Sequence, residues 1–417
     1  LKKLINSIGF YFLFPIYFAL ALLFTFFNVP QEYYFSLFIL CAIITVPVLL
    51  SLSLFPLKMR INEYYRHLLV HPKYRFITLS LCFFIFICGP VDVYVNGFKL
   101  LNPSTYAETN GIGRYIRHIT TLCWIFVPVA FLFLKSRGYK LLFISYALLF
   151  PIVIIDRNRF FLSGYSLFLC AVLVFNASDS LRPKKGSKLL YWFIPLICLF
   201  IFSLIGHFRS GAAFIVPSSG SVVQAGAYPL KASFASLPAL LQQIILYITT
   251  PIFNFATIAS ENFINQHFLI SQFSPFSREN LESYLYAPTL VARYTVGTEF
   301  YPFLLYGGLA WVAWAFVFML IGFILACSLF KKCPNVFTFL IFIKISYNAL
   351  FMGFAPQFYI LLNLIFLSMM FFLWFFAELI RISKILTVDK AISGHDLLAQ
   401  GLVCSPELAD KLRGVGS

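Results

Sequence analysis

Residues 141–175 read LLFISYALLFPIVIIDRNRFFLSGYSLFLCAVLVF. Two apolar runs flank the charged residues Asp156, Arg157 and Arg159. Each run approaches the roughly 17–25 residues needed to cross a bilayer core. A chain that turns back through so few polar residues is a helical hairpin in a membrane. The bland reading of the turn is a polar connector in which Asp156 neutralises one arginine. The sharper reading is that the arginines face an anionic ligand at the membrane surface, since charge at membrane depth is expensive unless it is used.

The same pattern continues in both directions. Of 417 residues, 61% are hydrophobic and only 11% charged, with a mean hydropathy of +0.88. This composition excludes an ordinary soluble domain, which would lack a polar surface. It predicts an all-α polytopic membrane protein. The expected spans are 8–27, 33–55, 76–95, 116–134, 141–156, 160–176, 189–206, 303–330, 335–353 and 357–380. No small-residue cleavage site follows Ile8–Phe27, so this run is expected to be a retained first helix.

The net charge of +16 does not point to nucleic acid, because it is distributed as topology. Lys2, Lys3, Lys58, Arg60, Arg66, Lys73, Arg75, Lys135, Arg137, Lys140, Arg182, Lys184, Lys185, Lys188, Lys331, Lys332, Arg381 and Lys384 all fall on one side, the cytoplasm by the positive-inside rule. Four units follow: a bundle over 1–206, a large external segment over 207–302, a second bundle over 303–385, and a tail over 386–417 that is cytoplasmic or appended. Within the external segment, 237–260 is apolar but interrupted by Gln242, Gln243, Thr249, Thr250, Pro251 and Asn254. It is expected to lie in the interface or to re-enter, because a full crossing would reverse every later loop.

The outer side is nearly neutral but unusual in kind. Its cations are seven Arg and two Lys, whereas the inner side carries fourteen Lys and seven Arg. Lysine suffices for topology, while arginine's planar fork suits phosphate or carboxylate. Candidate anion ligands are therefore Arg157 and Arg159, Arg209 in "IGHFRSG", Arg293 in "LVARYTVGTEF", and Arg114 and Arg117 in "GRYIRH". The last two share a helical face at i, i+3, where anchoring of the span is the competing reading. Glu299 and His207 are candidate general bases, weighed against a helix-start carboxylate and a structural histidine. Lys344 stands alone inside an apolar run, and snorkelling toward the inner surface is expected of it.

No P-loop, GxSxG, HExxH or D-x-D occurs, so neither a nucleotide nor a metal site is expected, and no cofactor. The nine cysteines leave the external segment empty and form no zinc pattern.

The Phe-rich body, the single large external segment, and the stretches RNRFFLSGYSLFLCAVLVF (157–175), YITTPIFNF (247–255) and TEFYPFLLYGGLAWVAW (298–314) resemble the Wzy-type O-antigen polymerases. Tyr306 and Gly307 stand where that family would carry Asp-Phe, so no acid is carried across at that point. The resemblance implies a membrane glycosyltransferase (GT-C-like) fold in a bacterial inner membrane. It implies transfer of an undecaprenyl-pyrophosphate-linked oligosaccharide onto another lipid-linked repeat unit on the periplasmic side, without a metal. Arg157, Arg159, Arg209, Arg293, Arg114 and Arg117 would bind pyrophosphate, and Arg209 would also assist catalysis. Tyr228, Tyr284, Tyr286, Tyr294 and Tyr301 would stack on sugars, against the plainer reading of interfacial anchors. Membrane lipids and a chain-length regulator protein are the implied partners, with no nucleic acid. The rivals are an O-antigen ligase, which differs in its acceptor, and a lipid-linked oligosaccharide flippase. A flippase would show paired repeats and mid-membrane charges.

Overall fold

The computed structural model describes residues 5–54, 60–66, 68, 72–105, 109, 111–177, 187–210, 231–259, 267, 270 and 297–379. The described residues form helices and irregular connections, with no strand. The long helices are α1 (Ile8–Phe26), α2 (Tyr34–Leu54), α3 (Pro72–Asn96), α4 (Ile112–Thr120), α5 (Phe126–Phe133), α6 (Arg137–Val153), α7 (Arg157–Ala177), α8 (Ser187–Ser210), α9 (Ala239–Ala259), α10 (Tyr301–Lys332), α11 (Val336–Phe351) and α12 (Leu361–Leu379).

Among the described residues, seven segments are apolar and long enough to cross a bilayer. They are Ile8–Phe26, Gln31–Ser53, Tyr74–Asn96, Ile112–Phe133, Leu240–Ala259, Tyr301–Lys332 and Leu361–Leu379. Phe193–Ile205 and Val336–Phe351 are apolar but shorter. The protein is thus a multi-pass helical membrane protein. The expected single span over 116–134 is in fact α4 and α5 joined by a 3-10 turn at Thr121–Ile125.

The segment 237–260 does not lie along the interface, the first of the two placements expected for it. It is the helix α9, enclosed by α1, α2, α8 and α10. Part of its polar set finds partners inside the bundle, while the buried Gln243 Nε2 and Thr250 Oγ1 meet none. Thr249 and Thr257 donate to the Ile245 and Phe253 carbonyls of their own helix. Ser203 of α8 donates to Gln243 Oε1 at 3.1 Å and to the Leu240 carbonyl at 3.0 Å.

α11 is the central helix, with every residue from Val336 to Ala349 buried. Asn335 starts it with a reciprocal capping box, accepting from the Phe337 and Thr338 N–H groups while Thr338 Oγ1 accepts from the Asn335 N–H. α11 stops after sixteen residues, and 352–360 is irregular before α12 begins. Irregular backbone at this depth needs internal partners for its N–H groups. Glu299 supplies them: its carboxylate accepts from the Gln357, Phe358 and Tyr359 N–H groups at 2.5, 2.9 and 3.0 Å. Close by, α10 breaks at Gly308, whose φ of +75° and ψ of −173° suit glycine alone. Phe300 consequently folds back to within 6.0 Å of Phe316, ring to ring.

Candidate functional site

The turn between α6 and α7 is strained. Ile155 is the one non-glycine among the described residues with positive φ, at 54°, and it is β-branched. That conformation costs on the order of 1–3 kcal/mol and persists only where the surroundings impose it. Ile155 is buried in a small cluster with Phe160, Cys198 and Ile205, which holds it there. The consequence is felt one residue on. Asp156 becomes the cap of α7: Oδ1 accepts from the Arg159 N–H at 3.0 Å, and Oδ2 from Arg159 Nε at 3.0 Å.

One arginine of the turn is therefore paired and the other is not. Arg157 lies between two aromatic rings, its guanidinium carbon 4.3 Å from the Tyr247 ring centre and 4.9 Å from that of Phe202. A guanidinium is weakly hydrated and planar, so it tolerates this sandwich. Its Nη1 is buried and meets no hydrogen-bond partner. Phe202 and Tyr247 come from α8 and α9, distant in sequence, and nothing in the sequence singled them out for this task.

Arg117 approaches from α4 in a different state. Its Nε donates to both oxygens of the fully buried Asp92, at 2.8 and 2.9 Å. Thr120 and Asn96 complete the acid's shell at 2.6 and 2.7 Å. Arg117 thus anchors α4 to α3, as the competing reading held, yet its buried Nη2 remains without a partner. Arg114 is exposed.

Three cavities surround the turn. Arg117, Ile154–Asn158, Phe202, Tyr247, Phe354 and Ala355 line a polar one of about 310 Å³. Phe202, Tyr247 and Phe354 also wall an apolar groove of about 440 Å³ that runs between α1, α7, α8 and α9. On the other face of the turn, a chamber of about 250 Å³ is lined by Asp156, Asn158, Arg159, Lys344, Gln357 and Asn363, among others. Lys344 does not snorkel. It is 9% exposed, the one charged residue of α11, and opens into this chamber.

This geometry bears on two sequence expectations and corrects the first. Glu299 is 1% exposed, and both its oxygens are occupied by backbone N–H groups. Burial raises its carboxyl above the ordinary range against the pull of those three donors. A raised carboxyl would suit a base, but one enclosed in this way ties backbone together and offers no free oxygen to an acceptor. Tyr301 is half-buried, and its ring lies so close over Gly297 that a Cβ there would sit 2.4 Å from it. Packing of this kind is what the plainer anchoring reading expects of Tyr301. His207 and Arg209 fall on the backbone of α8, with their side chains outside the described part. Arg293, Tyr228, Tyr284, Tyr286 and Tyr294 lie outside the described residues.

No protein-family model matches the chain, and no curated protein or solved structure is significantly similar to it.

Proposed function

We propose that this protein is a membrane glycan polymerase of the Wzy type. It would transfer a polyprenyl-pyrophosphate-linked glycan onto a lipid-linked repeat unit at the periplasmic face of a bacterial inner membrane. The observation that carries this reading is the junction at Phe202, Tyr247 and Phe354. There an arginine with no acidic partner stands where a polar cavity meets a long apolar groove. A lipid whose anionic head is joined to an isoprenoid chain needs both compartments in that order.

In this mechanism the acceptor hydroxyl attacks the anomeric carbon of the donor. The bond from that carbon to the pyrophosphate oxygen breaks, and lipid pyrophosphate departs carrying the negative charge. Arg157, with Arg117 lining the same cavity and Arg209 and Arg293 added from α8 and the external segment, stabilises that charge without a metal, whereas Arg159, expected to join them, lines the other chamber. With Glu299 committed to backbone, His207 is left as the candidate to take the acceptor's proton. A GT-C-like architecture and a chain-length regulator as partner belong to the same reading.

The test is reconstitution into liposomes with undecaprenyl-pyrophosphate-linked repeat units and excess chelator. The expected product is a ladder of longer lipid-linked glycans. Transfer only onto a lipid A core acceptor would assign a ligase instead. Movement of the substrate across the bilayer with no new linkage would assign a transporter. Activity that vanishes in chelator and returns with magnesium would overturn the arginine-only chemistry.

A further inference from the structure

We infer that the chamber lined by Arg159 and Lys344 is a second anion-binding site, distinct from the Arg157 cavity and built for a carboxylate or phosphate group. This goes beyond the polymerase reading and stands whether or not that reading holds.

Lys344 is the starting observation. It lies midway along α11, whose residues from Val336 to Ala349 are all buried, and it is itself 9% exposed. A cation in that setting is costly unless paired, and an intramembrane charge is a functional candidate by default. No hydrogen bond or ion pair holds its ammonium; the Tyr347 ring centre lies 5.6 Å from Nζ, and the charge of Glu299 acts on it from beyond ion-pair distance. Snorkelling is closed to it, because the side chain opens into the chamber.

Arg159 is the second observation, and it comes from a different helix. Asp156 fixes its Nε, while its Nη1 is buried with no partner. Asn363 lines the same chamber with its Nδ2 spent on the Phe358 carbonyl; its buried, unpartnered Oδ1 accepts, so it suits a hydroxyl carried beside the anionic group rather than the oxyanion itself.

The acids near the chamber are already engaged. Asp156 serves Arg159 and the start of α7, and Glu299, whose charge acts on Lys344, receives three backbone N–H groups. Two cationic side chains from separate helices therefore converge on one cavity with donor capacity unspent. The fitting ligand is a small oxyanion, which such groups bind by charge-assisted hydrogen bonds. A uronic-type sugar carboxylate and a phosphate share that chemistry.

Trp124 lines the same chamber and gives a local reporter. In full-length protein keeping Trp124 as its only tryptophan, emission is followed while inorganic phosphate, glucuronate or neutral glucose is added. A saturable change with phosphate or glucuronate, and none with glucose, is expected. Lys344→Met and Arg159→Gln should each weaken it about tenfold or more, and Arg157→Gln should leave it unchanged. Response to glucuronate alone identifies an acidic sugar, and response to phosphate alone a phosphate group. Lys344→Met should melt no lower than wild type, since an unpaired buried charge is removed. No saturable response to either anion, or an undiminished one in Lys344→Met, overturns the proposal. If removing the other tryptophans costs the fold, the same titration read as a melting shift in Arg157→Gln protein decides it.

Discussion

At the scale of single residues, arginines of identical chemistry hold three different positions. Arg117 is locked to a buried aspartate, Arg159 is half-committed to Asp156, and Arg157 is held by aromatic faces. Their substitutions should separate accordingly. Arg117→Ala strands Asp92 in the bundle and should cost about 3–5 kcal/mol of stability. That loss is readable as a fall in melting temperature and in membrane level. Arg157→Ala leaves no buried acid behind, so the fold should survive while polymer formation loses about 2–4 kcal/mol of transition-state stabilisation. Arg157→Lys keeps the charge but neither the fork nor the planar stack, and should recover only part of the activity. Wild-type glycan ladders from both Arg157 variants would reduce the turn to a connector. Glu299→Gln forces an amide against three N–H donors and should destabilise by about 1–3 kcal/mol. A Glu299→Gln protein that melts like wild type yet makes no polymer would instead restore the carboxylate as a base.

At the scale of elements, apolar periodicity read the helices well and their meetings poorly. The hairpin of α6 and α7 follows from two apolar runs around a short polar turn, because hydrocarbon permits little else. The pairing of Asp156 with one arginine, leaving the other free, was also open to inspection at i, i+3. The aromatic sandwich was not: Arg157 meets Phe202 and Tyr247 only because three helices converge, and pairwise spacing carries no trace of that. α9 shows the opposite error, since the contact from Ser203 of α8 to Gln243 that helps seat it in the bundle comes from a helix distant in sequence. Gly308 and the 352–360 break were hidden for the same reason, as Glu299 satisfies backbone far along the chain. Burial of α9 still leaves its two ends to be placed. Inner lysines and arginines precede α8 and follow α10, so an even number of crossings must lie between them. With α8 and α10 crossing once each, the charge rule asks that α9, one continuous helix of 21 residues, lie tilted in the bundle with both ends toward one side. Cysteines placed at Ser233 and His267, both exposed, should then react alike with an impermeant thiol reagent. Labelling of only one would make α9 a full span and require a further crossing before Thr298.

At the scale of the whole molecule, the three cavities form an ordered series around one strained turn. The apolar groove opens between α1, α7, α8 and α9, the Arg157 cavity follows across Phe202 and Tyr247, and the Lys344 chamber lies beyond Asp156 and Asn158. Arg157 and Arg159, two residues apart on α7, are turned about 200° from each other around its axis and so line different cavities. If the groove holds the chain of a lipid-linked donor, narrowing it should penalise that substrate without touching the charged sites. Leu199 lines the groove on α8 and is only partly buried, so a larger side chain there can be accommodated at the groove's expense. Leu199→Trp should therefore raise the donor concentration needed for half-maximal polymer formation by about tenfold, the equivalent of roughly 1.4 kcal/mol of lost chain burial. The maximal rate should change little, because the pyrophosphate contacts remain. A donor analogue with a much shorter isoprenoid chain never fills the groove and should be indifferent to the substitution. Equal loss for long- and short-chain donors would place the chain elsewhere and leave the groove as a lipid-filled seam between helices.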